Sequence, residues 1–264
     1  MEISFVNDAF AENIDEALGF AKKNDLRYIE LRKINGMDIS SITTSYAFEL
    51  SNKIADAGIL VSALSSSFLD WKSDCNNFNI NGQHVDSEEE YFIKLMDLAD
   101  AFGAPNIVIS SYVKDETLSL EELGKKLDVY SQLALDRGIN LLLENKAGTN
   151  IDTVSAMHKL FELYGFSNIF PLLNMGEIVA SDDDFNPQEL QDIVNKCLYF
   201  HINDYDSEAK RYVVLGEGHI DYSAILEDKQ NDKAVIFSLD PKTGHAEDLQ
   251  MSYNMLIAAS DDED

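Results

Sequence analysis

The 264-residue chain has little positive charge, since 20 lysines and arginines stand against 48 aspartates and glutamates, a net charge of -28. Binding to a phosphate backbone needs clustered Lys and Arg, which argues against a nucleic-acid partner. Its two cysteines, Cys75 and Cys197, form no paired zinc spacing and imply no disulfide framework. No apolar run approaches the roughly 18 residues that span a bilayer, and residues 1–5 show no secretory signal. We therefore predict a cytoplasmic protein without a membrane partner.

The composition is that of a folded protein, with 45% hydrophobic and 26% charged residues. Such values leave little room for long disordered regions. The length suits one α/β barrel domain. We expect a single domain over residues 1–260, followed by an acidic disordered tail at residues 261–264.

Eight strand-like apolar runs recur along the chain, each followed by a helical pattern, at a spacing of roughly 30 residues. The predicted strands are residues 3–6, 27–31, 59–64, 106–110, 139–143, 169–173, 198–202 and 234–239. The predicted helices are residues 13–24, 43–57, 86–102, 119–137, 151–164, 187–196, 222–228 and 247–258. An open doubly wound sheet would need a glycine-rich phosphate loop after a strand, and Gly216-Glu217-Gly218 lacks the third glycine. The pattern favours a (β/α)8 TIM barrel.

Polar residues follow several of the apolar runs, at the ends that a barrel brings together at one mouth. They are Glu30, Glu144, Asn174, His201 and Asp240. The last four come from consecutive strands, and their carboxylate, amide and imidazole groups suit a divalent ion such as Mn, Mg or Zn. Each residue also has a simpler interpretation, as a hydrogen-bonded structural histidine, a helix cap or a loop ion pair.

Six segments of the sequence resemble one family, the xylose isomerase-like barrels of the sugar phosphate isomerase and epimerase superfamily. Relatives in that superfamily include ketose epimerases, inosose dehydratases and a DNA-repair endonuclease branch. The resemblance covers nearly the whole chain, and the order of the segments is more specific than any one of them. The segments are residues 28–31, 141–145, 172–177, 200–204, 216–222 and 237–240.

The resemblance implies a metal held by Glu, Asp, His and Glu from strands five to eight. The matching positions are Glu144, Asn174, His201 and Asp240, so two of the four depart from the family pattern. Asn removes a negative charge and Asp shortens the last carboxylate, so we expect weaker metal affinity or a different metal position. Glu177 stands where the family has a sugar-contacting His; it either restores the charge lost at Asn174 or faces solvent. Strand three lacks the histidines of the repair branch.

The function that the resemblance implies is a metal-dependent isomerase or epimerase of a small sugar or polyol. Its chemistry would be proton abstraction next to a carbonyl. Glu144 and Asp240 are the predicted catalytic residues. The predicted substrate-binding residues are Glu30, Lys146, Glu177 and Arg211.

Two alternatives stay open. A dehydratase would use the same proton abstraction, and a non-catalytic sugar-binding barrel would explain the altered ligands. The oligomeric state is also open, including a homo-oligomer. Trp71 and Phe78, in a long loop, either cover a site or pack locally.

Overall fold

Eight parallel strands form a barrel in the computed structural model, which describes residues 1–10, 13–181, 185–229, 232 and 234–261. We number these strands β1 to β8. They are Glu2–Phe5, Tyr28–Leu31, Leu60–Ser65, Asn106–Ile109, Asn140–Glu144, Ile169–Asn174, Tyr199–Ile202 and Ile236–Leu239. Each overlaps a strand predicted from the sequence, so the predicted barrel is confirmed.

The strands pair in the order of a closed barrel. β1 pairs with β8, and the ladder then runs through β7, β6, β5, β4 and β3 to β2. All of these pairs are parallel. A parallel bridge between Val6 and Glu30 joins the last two edges, β1 and β2. The carboxyl ends of all eight strands therefore meet at one face, where TIM barrels bind ligands.

Nine α-helices accompany the strands in the described part of the chain. They are α1 Ile14–Lys23, α2 Thr44–Asp56, α3 Glu88–Phe102, α4 Leu120–Leu135, α5 Val154–Leu163, α6 Met175–Ala180, α7 Pro187–Lys196, α8 Ser223–Lys229 and α9 Ala246–Asp261. Polar caps start most of them, and α4 begins with the predicted capping box between Ser119 and Glu122. Residues 262–264 of the predicted tail lie outside the described residues, and Asp261 ends α9.

Three short antiparallel hairpins and the helix α6 were not predicted from the sequence. The hairpins pair residues 33–34 with 37–38, 78–80 with 83–85, and 204–206 with 211–213. Strands of two or three residues are too short to show the alternation of apolar and polar residues that predicts a strand. Phe78 begins the second hairpin, and its ring centroid is 5.0 Å from that of Trp71, so these rings pack locally within the chain.

The barrel interior begins with an apolar layer and becomes polar toward the carboxyl ends of the strands. The apolar layer consists of Ala63, Val108, Leu142, Leu172 and Tyr199. Neighbours of these residues along each strand point outward and join the main core with the helices. None of the helices in the described ranges is long and apolar enough to cross a membrane.

Candidate active site

The two-residue period of the strands carries four of the predicted residues into the barrel mouth. Leu142, Leu172 and Tyr199 face the interior. The residues two positions further along each strand, Glu144, Asn174 and His201, therefore also face inward. Asp240 follows β8 in the same way, two residues after Ser238. Asn174, His201 and Asp240 are at most 1% exposed.

His201 lies between two carboxylates. Its Nδ1 is 3.0 Å from Glu144 Oε1, and its Nε2 is 3.1 Å from Glu30 Oε1. Burial alone would lower the pKa of His201, but the charges and hydrogen bonds of Glu30 and Glu144 outweigh it and raise the pKa to about 10. Both ring nitrogens face acceptors, so the imidazole is a cation at neutral pH and both nitrogens donate.

Glu30 lies beneath His201 and away from solvent. It is 0% exposed, and its Oε2 also accepts hydrogen bonds from Tyr199 at 2.8 Å and Ser238 at 2.7 Å. Burial would raise the pKa of Glu30, but the His201 charge keeps it below its usual range. The sequence predicted a substrate contact here; the structure places Glu30 as a support for His201, below the mouth.

Asn174 turns a nitrogen, not an oxygen, toward the site. Its Nδ2 donates to Glu144 Oε1 at 2.8 Å. Its Oδ1 accepts from Asn203 Nδ2 at 2.9 Å and from the backbone N–H of Glu177 at 3.3 Å, where it caps α6. The side-chain oxygen of Asn174 therefore accepts hydrogen bonds on the side away from Glu144.

Glu144 has one occupied and one open carboxylate oxygen. Oε1 accepts from His201 and Asn174, whereas Oε2 has no hydrogen bond to any residue of the described part of the chain. The side chain is 14% exposed. Burial would raise the pKa of Glu144, but His201 and then Lys242 hold it well below the usual range. Glu144 is therefore ionised, with one oxygen available to a ligand.

Asp240 is bound by an arginine that the sequence analysis did not single out. Arg32 directs Nη1 to Asp240 Oδ2 at 3.0 Å and Nη2 to Asp240 Oδ1 at 2.8 Å. The same guanidinium binds both oxygens of Asp8, at 2.8 and 2.7 Å. Both oxygens of Asp240 are thus engaged by a fixed positive charge.

Lys242 brings a second unpredicted cation to the mouth, two residues after Asp240. Its Nζ donates to Glu177 Oε1 at 2.6 Å, and that oxygen also accepts from Tyr212 at 2.5 Å. Burial would lower the pKa of Lys242, but Asp240, Glu144 and Glu177 raise it above its usual range. Glu177 is 12% exposed and its carboxylate binds this ammonium, so its side chain does not face solvent.

The arrangement does not fit a divalent metal ion. Asn174 presents an N–H group, both nitrogens of His201 are hydrogen-bonded to carboxylates, and both oxygens of Asp240 are bound to Arg32. Metal ligands must instead offer free lone pairs. Within the residues that the structure describes, no group of three or more His, Cys, Asp or Glu side chains is placed to hold a metal.

Two adjoining clefts open at the mouth. The inner cleft has a volume of about 290 Å³ and is lined by Arg32, Lys33, Asp38, Ser65, Ser66, Ser67, Asp70, Val108, Ile109, Ser110, Glu144, Lys146 and Lys242. The outer cleft, about 450 Å³, shares Arg32, Lys33 and Lys242 with it. Lys146 pairs with Asp70 at 2.6 Å in the inner cleft.

Arg211 lies apart from the inner cleft. It is exposed on the third hairpin and borders a separate cleft of about 510 Å³ beside Lys242. Two cations that reach the strand ends lie close to them in the sequence: Arg32 directly follows β2, and Lys242 comes three residues after the end of β8. That position was a usable signal, because a basic residue just after a buried strand stands at the mouth in the same way as an acidic one.

Asp204, which ends the segment at residues 200–204, binds the glycine-containing segment at residues 216–222. Its carboxylate accepts from the backbone N–H groups of Gly216 at 2.9 Å, Gly218 at 3.0 Å and Ile220 at 3.2 Å. A carboxylate that receives several backbone N–H groups fixes the path of a loop. These two segments therefore form one structural unit beside the mouth.

Fold and site together define a (β/α)8 barrel protein with a charged, ligand-accessible mouth at the carboxyl ends of its strands. The chain belongs to the xylose isomerase-like TIM barrel family, whose model matches residues 11–253.

Curated relatives are similar to most of the chain. Inosose dehydratase from Clostridium perfringens is 24% identical over 214 residues, a match that covers 68% of this chain and 71% of the relative. Inosose dehydratase from Clostridium botulinum is also 24% identical, over 216 residues with the same coverage.

Solved structures show the same fold at lower identity. The probable 3-DHS dehydratase AsbF from Bacillus anthracis is 17% identical, with a TM-score of 0.74, and the similarity covers 97% of this chain and 99% of that one. The IOLI protein with a bound zinc atom is 17% identical, with a TM-score of 0.76 and 99% of both chains covered. The 3-keto-D-glucoside 4-epimerase YcjR from E. coli is 17% identical, with a TM-score of 0.72 and 98% of both chains covered.

Proposed function

We propose that the protein is a dehydratase of a small sugar-like keto-polyol, from which it removes the proton on the carbon next to the carbonyl. The observation that carries this proposal is the open oxygen of Glu144, which borders the same cleft as the Lys242 ammonium. A carboxylate base beside a fixed cation is the pair that enolisation needs. The sequence relatives named as inosose dehydratases support the same class of reaction.

The proposed reaction is an elimination on one face of the substrate. Glu144 Oε2 accepts the proton from the carbon next to the carbonyl, and the electron pair of that C–H bond forms the enolate. The Lys242 ammonium stabilises the negative charge on the enolate oxygen. The enolate then re-forms the carbonyl as the neighbouring C–O bond breaks. The hydroxyl takes the proton back from Glu144, so that one water and one unsaturated ketone leave.

Dehydration agrees better with the geometry than epimerisation. An epimerase that inverts a carbon needs one group to remove the proton and another to return it on the opposite face. Asp240, predicted as the second catalytic carboxylate, has both oxygens bound to Arg32. A single base on one face can remove a proton and hand it to a leaving hydroxyl on that same face.

The proposal assigns no step to a divalent metal. Arg32, Lys242 and protonated His201 supply positive charge at the strand ends where the resemblance predicts a metal. Mn, Mg or Zn remains the alternative to be excluded by experiment, because at least one protein of the same fold binds zinc.

An isomerase or epimerase is the second candidate function. Lys146 borders the inner cleft together with Glu144, and in this candidate function it is the second acid–base group. A neighbour of known structure, the 3-keto-D-glucoside 4-epimerase, shares the fold. This candidate requires the Lys146–Asp70 pair to open when the substrate binds.

The test is incubation of the protein with a panel of keto-polyols in deuterated water, with product masses and deuterium content as the readout. We expect loss of one water, abolished in Glu144→Gln and unchanged in the surface control Glu162→Gln, whose side chain is 61% exposed. Deuterium uptake without water loss would favour the epimerase. If no member of the panel loses water or takes up deuterium, both enzyme hypotheses are contradicted and the sugar-binding barrel is favoured. Metal analysis of the active protein, before and after a chelator, decides the cofactor question.

A further inference from the structure

Four cations converge on the inner cleft of a strongly acidic protein. Arg32, Lys33, Lys146 and Lys242 border it, against the three carboxylates of Asp38, Asp70 and Glu144. Over the whole chain acidic residues outnumber basic ones by more than two to one, 48 against 20. The cleft therefore reverses the charge balance of the molecule.

Not all of these cations are neutralised by a protein carboxylate. Arg32 pairs with Asp8 and Asp240, Lys146 pairs with Asp70, and Lys242 pairs with Glu177. Lys33 has no carboxylate within ion-pair distance in the described part of the chain, although it borders both the inner and the outer cleft. One positive charge at the mouth is thus left for a ligand.

A wall of hydroxyl groups faces the same space. Ser65, Ser66 and Ser67 at the end of β3 and Ser110 after β4 line the inner cleft. Ser110 is only 5% exposed, and its Oγ has no hydrogen-bond partner among the described residues. A buried hydroxyl without a partner costs free energy, so its presence beside a cleft indicates a group that arrives with the ligand.

We propose that the inner cleft binds an anionic group of the substrate, a carboxylate or a phosphate carried on a polyol. Lys33, which follows β2, and Ser110, which follows β4, would bind the anion through charge-assisted hydrogen bonds. The polyol would then extend toward Glu144. This inference rests on the proposed function for the reaction that follows, but it concerns binding alone and is tested without turnover.

An anion fits these groups better than an uncharged hydroxyl does. Ammonium and hydroxyl groups are all donors that an oxyanion can accept from at once, and hydrogen bonds to charged groups are about twice as strong as neutral ones. Glu144 repels an anion, so the anionic group belongs on the side of β2, β3 and β4, and the reacting carbon on the side of β5. This placement orients the substrate.

The experiment is calorimetric titration of the full-length protein with three ligands of similar size: uncharged myo-inositol, the carboxylate quinate and myo-inositol monophosphate. At least one anionic ligand should bind about tenfold or more tightly than inositol, the gain expected from one charge-assisted contact. The two anionic arms distinguish a carboxylate from a phosphate. Inorganic phosphate should compete with the phosphorylated ligand.

Two variants and one control locate the site. Lys33→Gln and Ser110→Ala should each weaken binding of the anionic ligand about three- to tenfold and leave inositol unchanged. Lys125→Gln, which removes an exposed lysine on α4, should change nothing. Ser110→Ala removes a hydroxyl without a partner, so its thermal midpoint should not fall, which separates lost binding from misfolding.

The inference is overturned if inositol binds as tightly as both anions, if neither anion binds, or if the variants leave anion binding intact. Anion binding without water loss would keep this inference and reject the proposed dehydratase. Water loss from uncharged keto-polyols alone would support the proposed dehydratase and reject the anion-binding inference.

Discussion

Arg32 binds both carboxylate oxygens of Asp240, at 3.0 and 2.8 Å, across 208 residues of sequence. The Asp240 side chain is 2% exposed and the Arg32 side chain 25%. This pair places a fixed guanidinium at the end of β8, where the family resemblance predicts a ligand for a metal ion. At this side of the mouth, the Asp240 carboxylate is bound by the protein itself.

Removing the guanidinium should destabilise the protein strongly. Arg32→Met keeps much of the side-chain volume but leaves Asp240 buried without its counter-ion, which typically costs about 3–5 kcal/mol. We expect the free energy of unfolding in urea to fall by about 3 kcal/mol, because Asp8 is partly solvated and can relax. Arg137→Met is the matched control, since Arg137 also binds two aspartates, 49% and 56% exposed; it should cost less than about 1 kcal/mol. Equal losses in the two variants would contradict the special role of Arg32.

The barrel and the acidic half of the site could be predicted from the sequence for one physical reason. Side chains alternate along a strand, so an apolar run that ends in a polar residue places that residue at the mouth. Glu144, Asn174, His201 and Asp240 were all found in this way.

The contacts between these residues could not be predicted, because they depend on long side chains reaching across the mouth. Arg32 and Lys242 lie next to the strand ends, yet nothing local specifies that they bind Asp240 and Glu177. The orientation of Asn174 depends on α6, a helix too short to be read from a period, whose first turn takes the Asn174 oxygen as its cap. The sequence pattern therefore predicted which residues lie at the mouth, and the contacts between distant residues determine which hydrogen bonds and ion pairs they form.

The wild-type protein should not retain a stoichiometric divalent ion. Restoring the family ligands with Asn174→Asp and Asp240→Glu should leave Mn²⁺ affinity weak, because Arg32 still binds the residue at position 240. Adding Arg32→Ala should raise the affinity at least about tenfold, since hard cations respond to ligand charge. Titration followed by electron paramagnetic resonance measures free Mn²⁺ directly. Tight Mn²⁺ binding by the wild type would show that the ion pairs yield to a metal.

His201 should carry two ring protons throughout the neutral range. Its pKa of about 10 predicts that both ring N–H signals persist at pH 8 in ¹⁵N spectra, assigned by their loss in His201→Gln. The unfolded pKa is about 6.5, so the folded state holds an additional proton between these values. The contribution of His201 to stability is therefore complete below about pH 6.5 and disappears as the pH rises toward 10. Urea unfolding at several pH values should show this decline in the wild type and a smaller one in His201→Gln. A neutral His201 at pH 8 would instead return it to the set of possible metal ligands.

Lys242 should matter for the rate rather than for binding. Lys242→Met removes the cation assigned to the enolate oxygen, and loss of one such group typically lowers kcat by about 10²–10³-fold. Lys242→Arg should restore part of the activity because the charge remains. Glu177→Gln, which loosens the Lys242 ammonium, should have a smaller effect of the same kind. An unchanged kcat for water loss in Lys242→Met would remove Lys242 from the mechanism.

Gly218 should tolerate no side chain, because the Asp204 carboxylate lies where a Cβ would be. An added Cβ would meet Asp204 Oδ1 at 2.2 Å and the Tyr205 carbonyl oxygen at 2.7 Å. Since Asp204 also binds the backbone of Gly216 and Ile220, it cannot move without loosening the whole loop. Gly218→Ala should therefore lower the free energy of unfolding by about 1–3 kcal/mol.

In contrast, a Cβ at Gly19, within α1, meets no atom within 4 Å, so Gly19→Ala should raise stability by about 0.5–1 kcal/mol. Thermal and urea unfolding of both variants check the two signs, and a neutral Gly218→Ala would mean that the Asp204 loop is looser than these contacts require.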